Sequence, residues 1–205
     1  MTDPIKKIAG VILAAGSASR MGETKQLLAF KGRPILEHVI KNARQSNLYE
    51  IIVVLGHDTD KIQQSVDFSG TKTVTNSEYL KGQNTSIIKG VKTISPICDA
   101  AMFLLADQPL IKSNIINNII NAFESSQKSI IIPYYKKTRG NPVIFERALF
   151  PNLNLLSGDT GPRVLFNKFK NSIFKVPLND KAILIDIDTK DDYQKLILQL
   201  IQKKA

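Results

Sequence analysis

The length, composition and charge of the chain are those of a globular protein. Its 205 residues are 43% hydrophobic and 22% charged, which excludes an intrinsically disordered chain and leaves enough apolar sequence for a sizeable core. The formal net charge of +10 favours anionic partners, such as phosphorylated metabolites, nucleic acid or an acidic membrane surface, and the single cysteine, Cys98, excludes an intramolecular disulfide and a multi-cysteine zinc site.

Short apolar runs alternate with helical patterns along the chain. Strands are predicted at 8–13, 51–55, 71–75, 100–106, 129–133, 141–145, 173–176 and 182–187. Helices are predicted at about 34–46, 58–67, 84–93, 112–123, 160–169 and 189–203. Several strands are apolar throughout, as in parallel sheets that helices cover on both faces. The pattern predicts an α/β protein with a mostly parallel sheet between two helical layers, in a single domain over 1–205.

The exit of the first strand carries small residues and two cations. Ligands of open α/β sheets bind outside the carboxyl ends of the strands. The spacing is not that of a Walker loop, because Gly22 is followed by Glu-Thr-Lys25 rather than directly by lysine. Backbone N–H groups, the guanidinium of Arg20 and the ammonium of Lys25 would nevertheless suit a polyphosphate. The alternative is a flexible connection with two solvated cations.

The order of these residues resembles a known signature. Residues 13–25 (L-A-A-G-x-x-x-R-M-G-x-x-K) resemble that of the MobA-like NTP transferase family, which includes the molybdenum-cofactor guanylyl- and cytidylyltransferases. The resemblance continues in order over nearly the whole chain and implies a Rossmann-like fold of the nucleotide-diphospho-sugar transferase type. It implies that Arg20 neutralises the β- and γ-phosphates of a nucleoside triphosphate and Lys25 the α-phosphate. The backbone expected against the base is that of Leu13, Ala14, Ala15 and Gly16.

The same resemblance implies a magnesium site. Asp107 ends the fourth predicted strand in an Asp-Gln-Pro element that binds metal in the family, although alone it would be interpreted as a turn cap. Near the last predicted strand, Thr189-x-x-Asp192 is typical of a capping box, which leaves Asp186 and Asp188 on one strand face. Magnesium often uses one or two carboxylates plus substrate phosphates. We expect Asp107 and Asp188 to hold Mg²⁺, with Mn²⁺ as an alternative metal and with roles for Asp186 and Asp159 left open.

Three further stretches are expected near the substrates. The segment 82–86 opens a helix, where Asn84 as a plain N-cap is the alternative, and the resemblance implies that Gly82 and Ser86 border the base and ribose. The segments 139–142 and 158–163 resemble acceptor-side elements of the family; without that resemblance both would be surface turns, with Asp159 as a helix cap. The implied acceptor-binding residues are Gly140, Asn141, Pro142, Gly158 and Asp159.

The residue types suit transfer of a nucleotidyl group to a phosphate. A phosphate monoester has a second pKa near 6, so it is largely ionised at neutral pH and needs no general base. His38 and His57 are therefore expected to be structural. Ala15 and Gln108 resemble the cytidylyl branch of the family. The prediction is an Mg²⁺-dependent enzyme that moves CMP from CTP to the terminal phosphate of molybdenum-molybdopterin, makes molybdopterin cytosine dinucleotide and releases pyrophosphate.

Several alternatives stay open. The nucleotide could be GTP, the acceptor could be another small phosphate monoester, or the chain could be a non-catalytic nucleotide-sensing or cofactor-handling protein. Nucleic acid is not expected, because the lysines are scattered in the sequence and aromatic residues make up only 7% of it. No apolar stretch approaches transmembrane length, so we expect a cytoplasmic enzyme without a membrane partner. Its product would pass to a molybdoenzyme or a maturation chaperone.

Overall fold

The computed structural model describes residues 5–16 and 22–202 of the chain, with ten strands and seven helices in that part. The strands are β1 (Ile8–Ala14), β2 (Ala29–Phe30), β3 (Arg33–Pro34), β4 (Glu50–Leu55), β5 (Lys72–Thr75), β6 (Ala100–Leu105), β7 (Ile130–Tyr135), β8 (Thr138–Arg139), β9 (Val143–Glu146) and β10 (Ile173–Pro177). The helices are α1 (Ile35–Arg44), α2 (Thr59–Ser65), α3 (Gln83–Thr93), α4 (Ser113–Ser126), α5 (Phe150–Asn154), α6 (Leu165–Lys168) and α7 (Lys190–Gln202). None of these helices combines the length and apolar character needed to span a bilayer.

One mostly parallel sheet runs through the molecule. Its strand order is β10-β7-β9-β6-β1-β4-β5, with β8 paired to the end of β7 and β2-β3 forming a separate small hairpin. β1 is parallel to β4 on one side and to β6 on the other, whereas β9 is antiparallel to both of its neighbours. From β1 the chain passes first to β4 and later to β6 on the opposite side. The carboxyl ends of β1 and β6 therefore open a crevice at a topological switch point.

Helices cover both faces of the sheet, which confirms the predicted α/β/α layers. The continuous apolar runs of β1, β4 and β6 are buried almost completely. On one face they pack with residues of α1, α2 and α4, such as Leu36, Ile62 and Phe123. On the other face they pack with residues of α3 and α5, such as Ile87 and Leu153. Because each strand contributes side chains to both clusters, a continuous apolar sequence is the pattern such strands require.

The predicted strand at 182–187 is wrong. Lys181–Leu184 form a 3₁₀ turn, and Asp180 caps it by accepting a backbone hydrogen bond at 2.9 Å. The chain from 185 to 188 has no regular secondary structure. The backbone of residues 181–188 bonds to loops rather than to a strand, since the Ile183 carbonyl accepts a hydrogen bond from the Asn141 amide at 3.1 Å. The apolar run reflects burial without strand pairing, at Ala182, Ile183 and Ile187.

The helices that follow β9 also differ from the prediction. The helix expected at 160–169 is a 3₁₀ turn, Pro162–Val164, followed by the single turn of α6. Gly161 precedes this turn with a positive φ of 65°, which breaks any longer helix there. The short helix α5 was not predicted, because its five residues are too few to show a helical period.

Candidate active site

The carboxyl ends of β1 and β6 open into a cleft of about 540 Å³. Four sequence-predicted segments meet there: the exit of β1, the exit of β6, the start of α3 and the connection before α7. The segment that follows α5 closes one side. The predicted site residues that line the cleft are Leu13, Ala15, Gly16, Lys25, Gly82, Ser86, Asp107, Asp159 and Asp188.

Lys25 lies between the two aspartates that the sequence assigns to the metal. Its Nζ is 2.6 Å from Asp107 Oδ2 and 2.9 Å from Asp188 Oδ1. The side chains of Lys25 and Asp107 are each 18% exposed, and that of Asp188 is 52% exposed. Burial lowers the pKa of the Lys25 ammonium, but the two carboxylates, Asp107 above all, outweigh burial and raise that pKa above its ordinary value. Lys25 is therefore a firmly protonated cation at the centre of the site.

The second carboxylate oxygen of Asp107 has no hydrogen-bond partner among the described residues. Asp107 Oδ1 is buried, and no protein group in the described part of the chain donates a hydrogen bond to it. Such an oxygen is costly to bury, and a divalent cation is one ligand that would satisfy it. Within residues 5–16 and 22–198, no three His, Cys, Asp or Glu side chains gather as a metal cluster. Asp107 and Asp188 fit a hard cation whose remaining ligands are phosphate or water oxygens.

Asp186 is engaged elsewhere. Its Oδ1 accepts a hydrogen bond from Nε2 of Gln108, which is only 1% exposed. Desolvation of the Asp186 carboxyl and the negative charge of Asp107 raise its pKa above the ordinary value. Asp186 and Asp188 therefore do not share one strand face as predicted. Of the two, Asp188 lines the cleft.

The backbone after β1 is held by a residue that the sequence analysis missed. Gln26 is 5% exposed, and its Nε2 donates to the carbonyls of Ala14 at 2.9 Å and Gly16 at 3.2 Å. From the other side, the amide of His57 donates to the Ala15 carbonyl at 3.3 Å. The only sequence signal for Gln26 was a polar residue between Lys25 and two leucines. Arg20 lies outside the described residues, so its contact with the phosphates stays a prediction.

The start of α3 and the loop after α5 pack directly on each other. Gly82 has a φ of +109°, and a Cβ on it would lie 2.6 Å from the Gly158 carbonyl oxygen. Asp159 Oδ1 accepts from the Gln83 amide at 2.7 Å, so Asp159 caps α3 rather than the helix that follows it in sequence. Asn84 is not the N-cap, since its Nδ2 donates to the Ser157 carbonyl at 2.6 Å. The start of α3, expected to bind the nucleotide, and the loop after α5, expected to bind the acceptor, thus form one wall of the cleft.

The element at 139–142 is held against the turn at Ile183. A Cβ on Gly140 would lie 2.5 Å from the Ile183 carbonyl oxygen, and the Asn141–Pro142 peptide bond is cis. Gly140, Asn141 and Pro142 do not line the described cleft. The acceptor contacts of these three residues, and of Gly158 and Asp159, stay predictions.

The two histidines do not line the described cleft, although His57 contacts residues that do. His38 Nε2 bonds the carbonyl of Phe30, and burial lowers the pKa of its ring. His57 Nδ1 is 3.5 Å from the hydroxyl of Tyr79. Tyr79 itself lines the cleft and was not anticipated from sequence. The structural roles expected for the histidines stay predictions.

The sequence matches a known family model over most of its length. The model of the MobA-like NTP transferase domain matches residues 10–173. Nicotine blue oxidoreductase of Paenarthrobacter nicotinovorans is 23% identical, over 93% of this chain and 96% of its own. Purine catabolism protein PucB of Bacillus subtilis is 28% identical, over 90% and 93%. Molybdenum cofactor cytidylyltransferase of Escherichia coli is 26% identical, over 89% and 92%.

Solved structures share the fold. Rv0371c of Mycobacterium tuberculosis superimposes with a TM-score of 0.85 at 27% identity, over 95% of this chain and 100% of its own. A complex of Rv0371c with manganese has a TM-score of 0.82 at 26% identity, over 94% and 99%. These neighbours confirm the expected fold class.

Proposed function

The chain belongs to the family of the MobA-like NTP transferase domain, whose activity is nucleotidyl transfer, and we propose that it transfers CMP from CTP to the terminal phosphate of a molybdopterin-type acceptor. The observation that carries this proposal is the charge cluster in the cleft. Lys25, Asp107 and Asp188 converge at the switch point of the sheet, and one buried oxygen of Asp107 has no hydrogen-bond partner in the part of the chain that the structure describes. This arrangement suits a metal-bound triphosphate.

Each side chain has a defined task in this reaction. Asp107 and Asp188 would hold Mg²⁺, which supplies charge neutralisation on the triphosphate when bound. Lys25 would then turn from the carboxylates to the α-phosphate, because two cations cannot share their oxygens at close range. Gln26 keeps the backbone at Gly16 in place for the base. The chain needs no general base, since a phosphate monoester is largely ionised near neutral pH.

The choice of CTP and of the acceptor rests on similarity. The cytidylyltransferase from Escherichia coli spans nearly the whole chain, and Ala15 and Gln108 resemble the cytidylyl branch. PucB and nicotine blue oxidoreductase span it equally well under other names. GTP and other phosphate monoesters are therefore the alternative substrates. We further propose a single domain over 1–205 that acts in the cytoplasm and passes its product to a molybdoenzyme or chaperone.

The substrate test is a matrix of nucleotides and acceptors. Pyrophosphate release is measured with CTP, GTP, ATP and UTP, each with molybdopterin, with a sugar phosphate, with methylerythritol phosphate, or with no acceptor. We expect turnover with CTP and molybdopterin. Turnover with CTP and another monoester alone would overturn the acceptor, and turnover with GTP alone would overturn the base. Nucleotide binding without turnover in any combination would favour a non-catalytic, nucleotide-sensing protein.

The metal assignment is tested by replacing Asp107 with its neutral isostere. Asp107→Asn should lower kcat by about 100-fold or more, because a preorganised charge at the reacting phosphates is lost. Asp191→Asn is the matched control, since Asp191 is an exposed carboxylate in the first turn of α7. Circular dichroism of both variants checks the fold. Undiminished turnover in folded Asp107→Asn would exclude Asp107 as a metal ligand.

A further inference from the structure

Asp188 comes from a segment without regular secondary structure, so something other than a sheet must hold it in the cleft. Two hydrogen bonds tie this segment, residues 185–188, to the end of β6. The Ile187 amide donates to the Asp107 carbonyl at 3.2 Å, and Gln108 Nε2 donates to Asp186. The Ile187 side chain is fully buried in a small apolar cluster with Leu28 and Leu196. The segment is thus fixed immediately before Asp188.

Gln108 is an unusual residue for its place. Its side chain is 1% exposed, and its Oε1 has no hydrogen-bond partner in the described part of the chain. A buried amide with one unsatisfied oxygen is costly, and an apolar residue of similar size would avoid that cost. Among the described residues, the one side-chain hydrogen bond that Gln108 makes is the bond to Asp186. The bond to Asp186 is therefore the feature that accounts for a glutamine, rather than an apolar residue, at this buried position.

The bond also separates two competing carboxylates. Asp186 and Asp188 flank Ile187, and either could in principle face Asp107. Gln108 engages Asp186, while Asp188 is left to line the cleft and bond Lys25. A neutral amide does this without placing a second positive charge beside Lys25, where it would repel a divalent cation.

We propose that Gln108 is a positioning residue that, by holding Asp186, sets Asp188 rather than Asp186 opposite Asp107 as the second metal ligand. This inference rests on the proposed function, because it presumes a divalent cation between Asp107 and Asp188. Removing a residue that hydrogen-bonds and orients the metal ligands typically lowers metal affinity by about 10- to 100-fold. Gln108 acts on the metal through Asp186 and segment 185–188, without touching it.

The test measures Mn²⁺ binding rather than turnover. Mn²⁺ is titrated by electron paramagnetic resonance in the presence of α,β-methylene CTP, and thermal stability is recorded for each variant. Gln108→Leu, which keeps the volume but removes the donor, should weaken Mn²⁺ affinity by about 10-fold or more. The metal concentration needed for half-maximal activity should rise by a similar factor, with kcat at saturating metal largely kept. Gln64→Leu, an exposed change on α2, should alter neither quantity.

Two further variants separate the possible causes. Asp186→Asn keeps an oxygen that can accept from Gln108, so its Mn²⁺ affinity should stay close to that of the original chain. If Gln108→Leu does not fold, Gln108→Met provides the same comparison, because its unbranched side chain fills a similar volume without a hydrogen-bond donor. Unchanged Mn²⁺ affinity in a folded Gln108 variant, with or without lower thermal stability, would overturn the positioning role. Unchanged Mn²⁺ affinity in Asp107→Asn would instead overturn the metal site of the proposed function.

Discussion

At the residue scale, Lys25 occupies the position where a metal cation would be held. Its ammonium contacts both Asp107 and Asp188 and offsets part of their negative charge. A divalent cation arriving alone would have to displace it, with no phosphate to accept the ammonium in exchange. Metal and triphosphate are therefore expected to bind together, each making room for the other.

Replacing Lys25 should separate metal binding from nucleotide binding. Lys25→Met keeps the length of the side chain and removes its charge, so Mn²⁺ without nucleotide should bind about 10-fold more tightly, a gain of about 1.4 kcal/mol. Binding of CTP should weaken at the same time, because a phosphate contact is lost. Calorimetric titration of each ligand gives both affinities.

Lys112→Met, an exposed change before α4, is the control and should bind Mn²⁺ as the original chain does. The pKa of Lys25 lies above the ordinary pKa of a lysine. The ammonium therefore keeps its charge at every pH below that ordinary pKa and loses it only at higher pH. The difference between Lys25→Met and the original chain should accordingly stay constant between about pH 6 and 9. Equal or weaker Mn²⁺ binding by Lys25→Met would contradict this account.

At the scale of elements, the cleft depends on how closely α3 lies on β1. Gly90 in α3 faces Val11 of β1, and a Cβ on Gly90 would lie 2.5 Å from Val11 Cγ1. Val11 is fully buried and β-branched, so it has little freedom to move aside. Because Gly90 has no side chain, α3 can lie close to β1. This distance sets the position of the first turn of α3, which carries Ser86 to the cleft.

Filling this contact should destabilise the fold. Gly90→Ala gains up to about 1 kcal/mol in helix propensity, but overpacking against Val11 should cost about 1–3 kcal/mol of the free energy of unfolding. Urea denaturation measures the difference. In a Val11→Ala background the same change should cost at least about 1 kcal/mol less, since the clashing methyl group is gone. Strictly additive effects of the two substitutions would show that the contact does not limit the helix.

At the scale of the whole molecule, the positive charge is concentrated in one segment, residues 128–181. Residues 128–181 hold ten Lys and Arg against three Asp and Glu, a net formal charge of +7 out of +10. None of the ion pairs in the described part of the chain joins one of these ten cations to a carboxylate. This segment contains the elements expected to bind the acceptor.

Such a field should steer anionic substrates toward the cleft. The kcat/KM for pyrophosphate release is expected to fall steeply as KCl rises from about 50 to about 300 mM, because screening shortens the reach of the charges. The double change Lys136→Glu and Lys137→Glu should lower kcat/KM at low salt and leave kcat unchanged. Lys92→Glu with Lys112→Glu makes the same charge change outside residues 128–181 and should lower kcat/KM less. A flat salt profile would show that the charge does not guide substrate capture.

Much of the architecture could be read from local sequence. Strands β1, β4 and β6 were predicted nearly to the residue, because a strand covered on both faces must be apolar throughout. The segment at 182–187 shows the limit of that rule, since an apolar run buried in a turn looks the same as one in a strand. Resemblance to a family supplied the expected metal roles of Asp107 and Asp188; without it, Asp107 would have been interpreted as a turn cap.

The sequence by itself determined the layers of the fold and the residue types available to the site, because hydrophobic period and loop chemistry act over a few neighbouring residues. Only the tertiary structure decided which charges meet. Lys25 is 82 positions from Asp107 and 163 from Asp188, and Gln108 is 78 positions from Asp186. Lys25 meets Asp107 because the exits of the neighbouring strands β1 and β6 lie at one edge of the sheet, and segment 185–188 reaches that edge through the hydrogen bond from the Ile187 amide to the Asp107 carbonyl.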